Sequence, residues 1–149
     1  MLKKLLILTL LLFSYAIADN SIKEQKIQIL KSINSSMYSE DTKKLYSLYN
    51  KLADLYSKNG EYYKAVEYYK LSLKLYPILK TTNNKSKILL YKKIAYCYQK
   101  IGNTFKAFKY TYKAVKLADK FLGNNSKITK KLNIEVKEIQ SQLIASSIY

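Results

Sequence analysis

An internal repeat, in which the segment starting at Leu52 returns at Ile94, constrains this chain more than any other feature of its sequence. One constant shift lays Leu52-Ala53-Asp54-Leu55-Tyr56-Ser57-Lys58-Asn59-Gly60 on Ile94-Ala95-Tyr96-Cys97-Tyr98-Gln99-Lys100-Ile101-Gly102. It also carries Tyr49 onto Tyr91, Lys64-Ala65 onto Lys106-Ala107, Tyr69 onto Thr111 and Ser72 onto Ala114. Two copies of one supersecondary unit are present. Such a unit is too small to bury its own apolar face and gains stability by stacking on its neighbour.

Each copy reads as a helix, a tight turn at glycine, and a returning helix. Tyr49, Leu52, Ala53 and Tyr56 fall at i, i+3, i+4 and i+7, the spacing of one helical face. Asn59-Gly60 then ends the helix, because glycine accepts the left-handed conformation that closes a helix end. Tyr62, Ala65, Val66, Tyr69, Ser72 and Leu73 renew the helical period, and Pro77, the chain's one proline, ends it. In the second copy the same roles go to Tyr91, Ile94, Ala95, Tyr98 and Gly102, then Phe105, Ala107, Phe108, Thr111 and Ala114. Alanines 53, 65, 95 and 107 allow two antiparallel helices to approach closely while aromatic rings fill the space alongside.

These residues resemble the tetratricopeptide repeat. Tyr49, Leu52, Ala53, Tyr56, Gly60, Tyr62, Ala65, Tyr69, Ser72 and Pro77 stand where that family carries its large, small, aromatic and terminating residues. Repeat one covers 46–79. Repeat two, 88–121, departs from the pattern at Thr104, Thr111 and Asp119, which replace Tyr62, Tyr69 and Pro77. The 42-residue spacing is similar to a longer variant of the repeat. The resemblance implies an all-α fold, a right-handed α-solenoid of stacked antiparallel helical hairpins. It also implies a concave groove lined by the first helix of each hairpin, here Ser47, Asn50, Asp54 and Ser57, then Leu89, Lys92, Tyr96, Gln99 and Lys100. Such a groove suits an extended segment or helix of another protein, and substitutions at Asn50, Asp54, Lys92 and Tyr96 are expected to abolish capture while leaving the fold intact.

The flanks complete the architecture. Ser21 to Asn34 places Ile22, Ile29, Leu30 and Ile33 on one face, with Ile27 beside it, as a lone N-terminal helix. Ser39-Glu40-Asp41 offers a capping hydroxyl and two acids to the next helix. Asn125-Ser126 opens a C-terminal capping helix over 125–146, with Ile128, Leu132, Val136, Ile139 and Leu143 facing inward. About six helices are expected, with Thr81-Thr82-Asn83-Asn84-Lys85 as the mobile loop between repeats. With only two clear repeats, self-association is a possible further source of stability.

Ahead of this domain, residues 1–18 read as a secretory signal peptide. Met1-Leu2-Lys3-Lys4 is a basic start, Leu5 to Phe13 is apolar apart from Thr9, and Ala16-Ile17-Ala18 supplies a cleavage site. The apolar run falls short of the ~20 residues that a spanning helix needs. The domain of 19–149 is therefore expected to be exported, to a bacterial periplasm or the medium, with no transmembrane helix once the signal is cleaved.

The chain carries 27 basic residues against 10 acids, and every basic residue is Lys. After Tyr68 the acids are reduced to Asp119, Glu135 and Glu138. Lys106, Lys109, Lys113, Lys116 and Lys120 form one basic edge on the last repeat helix. That edge suits an anionic envelope component such as an acidic protein, a glycan or lipid head groups. The favoured explanation is plainer: coding DNA rich in A and T yields abundant Lys, Asn, Ile and Tyr, and the edge is a solvated face. Nucleic acid is disfavoured, since Arg, which grips phosphate and guanine bidentately, is absent. The 16 tyrosines divide similarly. Those on the repeat positions belong to the core, whereas Tyr96 belongs to the groove.

Catalysis finds little purchase. Without His there is no Ser-His-Asp triad, Cys-His dyad or His-bound metal. No phosphate loop, metal-ligand spacing or serine elbow occurs, so neither enzyme activity nor a cofactor is expected. Glu135 and Glu138, flanked by Lys131 and Lys137, read as a surface ion-pair network. Cys97, the one cysteine, aligns with Leu55 and reads as a buried, inert thiol. The resulting expectation is an exported interaction or scaffold module. The alternative is a basic, surface-associated envelope protein that binds anionic polymers or lipids through its Lys-rich C-terminal part.

Overall fold

The structure, a computed structural model, describes residues 2–79 and 84–147. Among the described residues it consists of six helices and no strand: α1 (Leu2–Tyr38), α2 (Thr42–Lys58), α3 (Tyr62–Leu75), α4 (Asn84–Lys100), α5 (Thr104–Leu122) and α6 (Lys127–Ser147). The helices keep the period of the sequence: α4 runs from Asn84 to Lys100 as α2 runs from Thr42 to Lys58, and α5 starts at Thr104 as α3 starts at Tyr62. Each helix packs on the next along the chain, giving a helical-repeat solenoid.

The turns explain the matching ends. Gly60 and Gly102 sit at φ 77° and 81°. In the first hairpin the amide of Glu61 donates to the carbonyl of Tyr56 (2.9 Å) and that of Gly60 to Ser57 (3.2 Å). In the second, Asn103 donates to Tyr98 (2.9 Å) and Gly102 to Gln99 (3.0 Å). This paired closure satisfies carbonyls that a helix end otherwise leaves bare, and it requires the left-handed residue that glycine supplies most readily. The next helices begin with side-chain caps where the sequence allows: Asp41 accepts from the amide of Lys44 (3.0 Å), Asn103 from that of Lys106 (2.9 Å) and Ser126 from that of Thr129 (3.1 Å).

The core follows the expected pattern of small and aromatic residues. Ala53, Ala65, Ala95 and Ala107 are buried, as are Leu52, Tyr56, Tyr69, Ile94 and Tyr98. An aromatic unit repeats with them. Tyr68 stacks on Tyr56 (centroids 5.5 Å, 11°) and leans on Tyr49 (6.1 Å); one period on, Tyr110 stacks on Tyr98 (5.6 Å, 22°) and leans on Tyr91 (6.2 Å). Offset stacking of this kind adds about 1 kcal/mol per pair beyond the buried area.

Several expectations need correction. α1 runs far beyond Ser21 to Asn34, from Leu2 to Tyr38. Its inward face is Ile22, Lys26, Ile29, Ile33 and Ser36; Leu30 and Ile27 are exposed, because docking on one neighbour covers a narrow strip of a helix. The cap of α2 is the Asp41 carboxylate, while the Ser39 hydroxyl donates back to the Ser36 carbonyl. Phe105 and Ile128, expected in the core, are exposed at the first turns of α5 and α6. Asn84 and Lys85 belong to α4 and not to a loop; the remainder of that expected loop, 81–83, lies outside the described residues. Among the described residues no helix is long and apolar enough to cross a membrane.

Candidate functional site

The first helices of the two hairpins, α2 and α4, together with α6, leave clefts between them that join into one row. The α2/α4 cleft, about 470 Å³, is lined by Asp54, Ser57 and Lys58 of α2, Leu89, Lys92, Lys93 and Tyr96 of α4, and Tyr69 at its back. The α4/α6 cleft, about 370 Å³, reuses Lys92 and Tyr96 and adds Gln99, Glu135, Glu138 and Gln142, with Thr111 behind. A smaller one, about 270 Å³, lies between α1 and α2 and shares Asp54 and Lys58 with the first. Shared wall residues set the three clefts side by side.

The floor is braced by polar bonds between helices. Tyr69, which is 2% exposed, donates its phenolic O–H to Asp54. Lys93 closes on the same carboxylate from α4 at 2.7 and 2.9 Å. Burial first, and then the hydrogen bond to Asp54, push the Tyr69 hydroxyl well above its ordinary pKa, so it stays a donor at every physiological pH. Next door, Lys92 pairs with Glu135 at 3.3 Å and ties α4 to α6. That partner lies on another helix, and among the described residues no ion pair joins Glu135 or Glu138 to Lys131 or Lys137, so the expected network within α6 is replaced by one bond between helices. Cys97 is fully buried behind the floor, its thiol 3.7 Å from the Ser57 hydroxyl, and burial raises its pKa; it fits an inert thiol.

Of the residues expected in the groove, Asp54, Ser57, Leu89, Lys92, Tyr96 and Gln99 line the clefts. Leu89 and Tyr96 remain about half exposed, at 52% and 47%, and Tyr96 is held by an edge-on contact with Tyr62 (6.2 Å, 80°). Ser47, Asn50 and Lys100 line none of the three clefts. Ser47 is exposed one turn before the row begins, Asn50 spends its amide on the Tyr46 carbonyl (2.8 Å), and Lys100 lies over the outer face of Tyr96 (5.5 Å). Asp54 also holds Tyr69 and Lys93, so its substitution is expected to cost stability as well as capture. Lys58, Lys93, Glu135, Glu138 and Gln142 are cleft residues that sequence reasoning missed. The 42-residue period itself could have found two of them: applied once more to the expected groove positions, it carries Tyr96 onto Glu138 and Lys100 onto Gln142.

Lys106, Lys109, Lys113, Lys116 and Lys120 are all exposed on α5. Most of these lysines lie against aromatic rings: Lys106 over Tyr98 (5.4 Å), Lys113 over Tyr110 (5.1 Å), Lys116 over Tyr112 (5.1 Å) and Lys120 over Phe121 (5.3 Å). In a chain poor in acids, the faces of tyrosine rings take part of the place of counter-charges.

Comparison with known proteins agrees with this geometry. The tetratricopeptide repeat family matches residues 46–78, the first hairpin. A comparison with curated proteins gives no match. Among solved structures, the chain is similar to the crystal structure of BtubC (BKLC) from P. vanneervenii, at 21% identity and a TM-score of 0.62. The similarity covers 82% of this chain and 50% of that one, so the chain spans half the length of that structure, and the likeness is one of fold. Repeats of this family are protein interaction modules on a typically non-enzymatic scaffold. The family match thus falls on α2 and α3, and α4 and α5 rebuild the same hairpin one period on.

Proposed function

We propose that the chain is an exported interaction module that holds a segment of a partner protein in the row of clefts between α2, α4 and α6. The observation that carries this reading is the adjacency of the clefts: neighbours that share Asp54 and Lys58, and Lys92 and Tyr96, present half-exposed Leu89 and Tyr96 between charged walls. Apolar anchors ringed by polar groups are what a protein segment needs for both affinity and register. Export rests on the basic start, apolar run and Ala16-Ile17-Ala18 site of residues 1–18.

The second reading places binding on the basic edge, in favour of which stand Lys106 to Lys120 and the exposed rings of Phe105 and Tyr112 beside them. Salt separates the two, since contacts between exposed charges weaken steeply with ionic strength and desolvated contacts do so less. The test is retention of envelope proteins by the purified chain at low and physiological salt, with Leu89→Ala/Tyr96→Ala alongside. A partner retained in salt and lost with the double variant supports the groove. Many anionic species, lost in salt and indifferent to the variant, contradict it.

A further inference from the structure

Opposite charges meet across the groove. The α2/α4 cleft is cationic: Lys58, Lys92 and Lys93 face a single acid, Asp54, which is already engaged by Tyr69 and Lys93. In the α4/α6 cleft the balance is reversed, with Glu135 and Glu138 against Lys92 alone, and amides Gln99 and Gln142 at its mouth. This reversal is not what composition dictates, because the chain carries a net charge of +17 and these two glutamates are two of the three acids after Tyr68. The face of α6 that closes the groove is where they are spent. Between the clefts lie the Lys92–Glu135 ion pair, with side chains 31% and 33% exposed, and the ring of Tyr96.

We infer that the groove is bipolar and takes an extended segment that carries an acidic side chain for Lys58 and Lys92, an apolar side chain for Leu89 and Tyr96, and a Lys or Arg for Glu135 and Glu138. This rests on the groove being the binding site and goes further in naming what fits it. An extended chain advances about 3.3 Å per residue, so a ligand that spans the two neighbouring clefts places its acid and its base several residues apart. In the free protein Lys92 and Glu135 neutralise each other at the border. The ligand exchanges that pair for two pairs of its own, so its charges add register and discriminate against one-signed segments more than they add affinity.

The test is selection of a random twelve-residue peptide display library on the full chain, on Lys92→Glu/Glu135→Lys, and on Tyr96→Ala. The charge-exchanged variant keeps an ion pair between the same two helices, and its melting temperature checks that the fold is retained. The expected pool carries an acid and a Lys or Arg several positions apart on either side of an apolar residue. Synthetic members of that pool are expected to bind at least tenfold more tightly than the same peptides with the base replaced by Glu, and the charge-exchanged variant to lose that preference. A pool with acids alone that is lost on Tyr96→Ala overturns the bipolar ligand and leaves the groove standing. A pool indifferent to Tyr96→Ala, or no enriched pool at all, overturns both.

Discussion

Lys93 on α4 holds both carboxylate oxygens of Asp54 on α2, at 2.7 and 2.9 Å, and this pair spans the floor of the principal cleft. Because Tyr69 donates to the same carboxylate from a buried position, the three side chains join three successive helices. Removing the acceptor leaves a buried hydroxyl unsatisfied. Asp54→Ala is expected to destabilise the fold by about 2 kcal/mol, whereas Tyr69→Phe, which removes a donor and leaves Lys93 in place, costs about 1 kcal/mol. Urea unfolding midpoints check both, and equal losses would contradict the shared-acceptor arrangement.

Glu61 is the group through which acid reaches the fold. Hydrogen bonds from Lys26, then Lys64 and Asn59, lower its pKa to about 2. Folding therefore favours the carboxylate; the contribution is complete above the ordinary glutamate range and is lost as pH falls toward 2. Glu61→Gln is expected to melt below the parent chain at pH 7, and the gap to close progressively below about pH 4.5. A gap independent of pH would contradict this assignment.

The hairpin turns depend on backbone conformation alone. A Cβ at Gly60 or Gly102 meets nothing within 4 Å, so substitution is resisted only by φ of 77° and 81°. Gly60→Ala and Gly102→Ala are each expected to cost about 1–2 kcal/mol, and Gly→Asn less at both sites, since Asn tolerates the left-handed region better. Thermal unfolding of the four variants ranks them.

Cys97 offers a probe of the wall behind the groove, where its thiol meets the Ser57 hydroxyl. Fully buried, with its thiol pKa raised by burial, it is expected to react with a thiol reagent only as fast as the chain opens, and at full rate in denaturant. Prompt labelling of the native chain would mean that the back of the cleft is open.

The hairpins were legible because their determinants are local: a glycine with positive φ, a capping Asp or Asn, and alanines that return with the repeat. α6 was legible as a helix but not as a third first-helix. Its buried positions keep the repeat, with Leu132 following Leu48 and Leu90, and Ile139 following Leu55 and Cys97; its aromatic positions do not, since Asn133 and Gln140 stand where Tyr91 and Tyr98 would map. The groove positions Asp54, Leu89 and Tyr96 followed from the family pattern. Lys93 and Glu135 did not, because a charge becomes a groove residue only when a neighbouring helix supplies its partner. Tyr68 and Tyr110 escaped notice for a related reason: they lie off the apolar face and stack only once the hairpin has closed.

The central claim is that a partner lies along the row of clefts and not along the basic edge. Photo-crosslinking tests it most directly, with a benzoylphenylalanine placed at position 89 in the cleft or at 112 on the outer face of α5, each chain irradiated with cell extract at physiological salt. The account predicts a discrete adduct from position 89 that disappears on Tyr96→Ala, and none from 112. Adducts confined to position 112 and lost as salt is raised would contradict it.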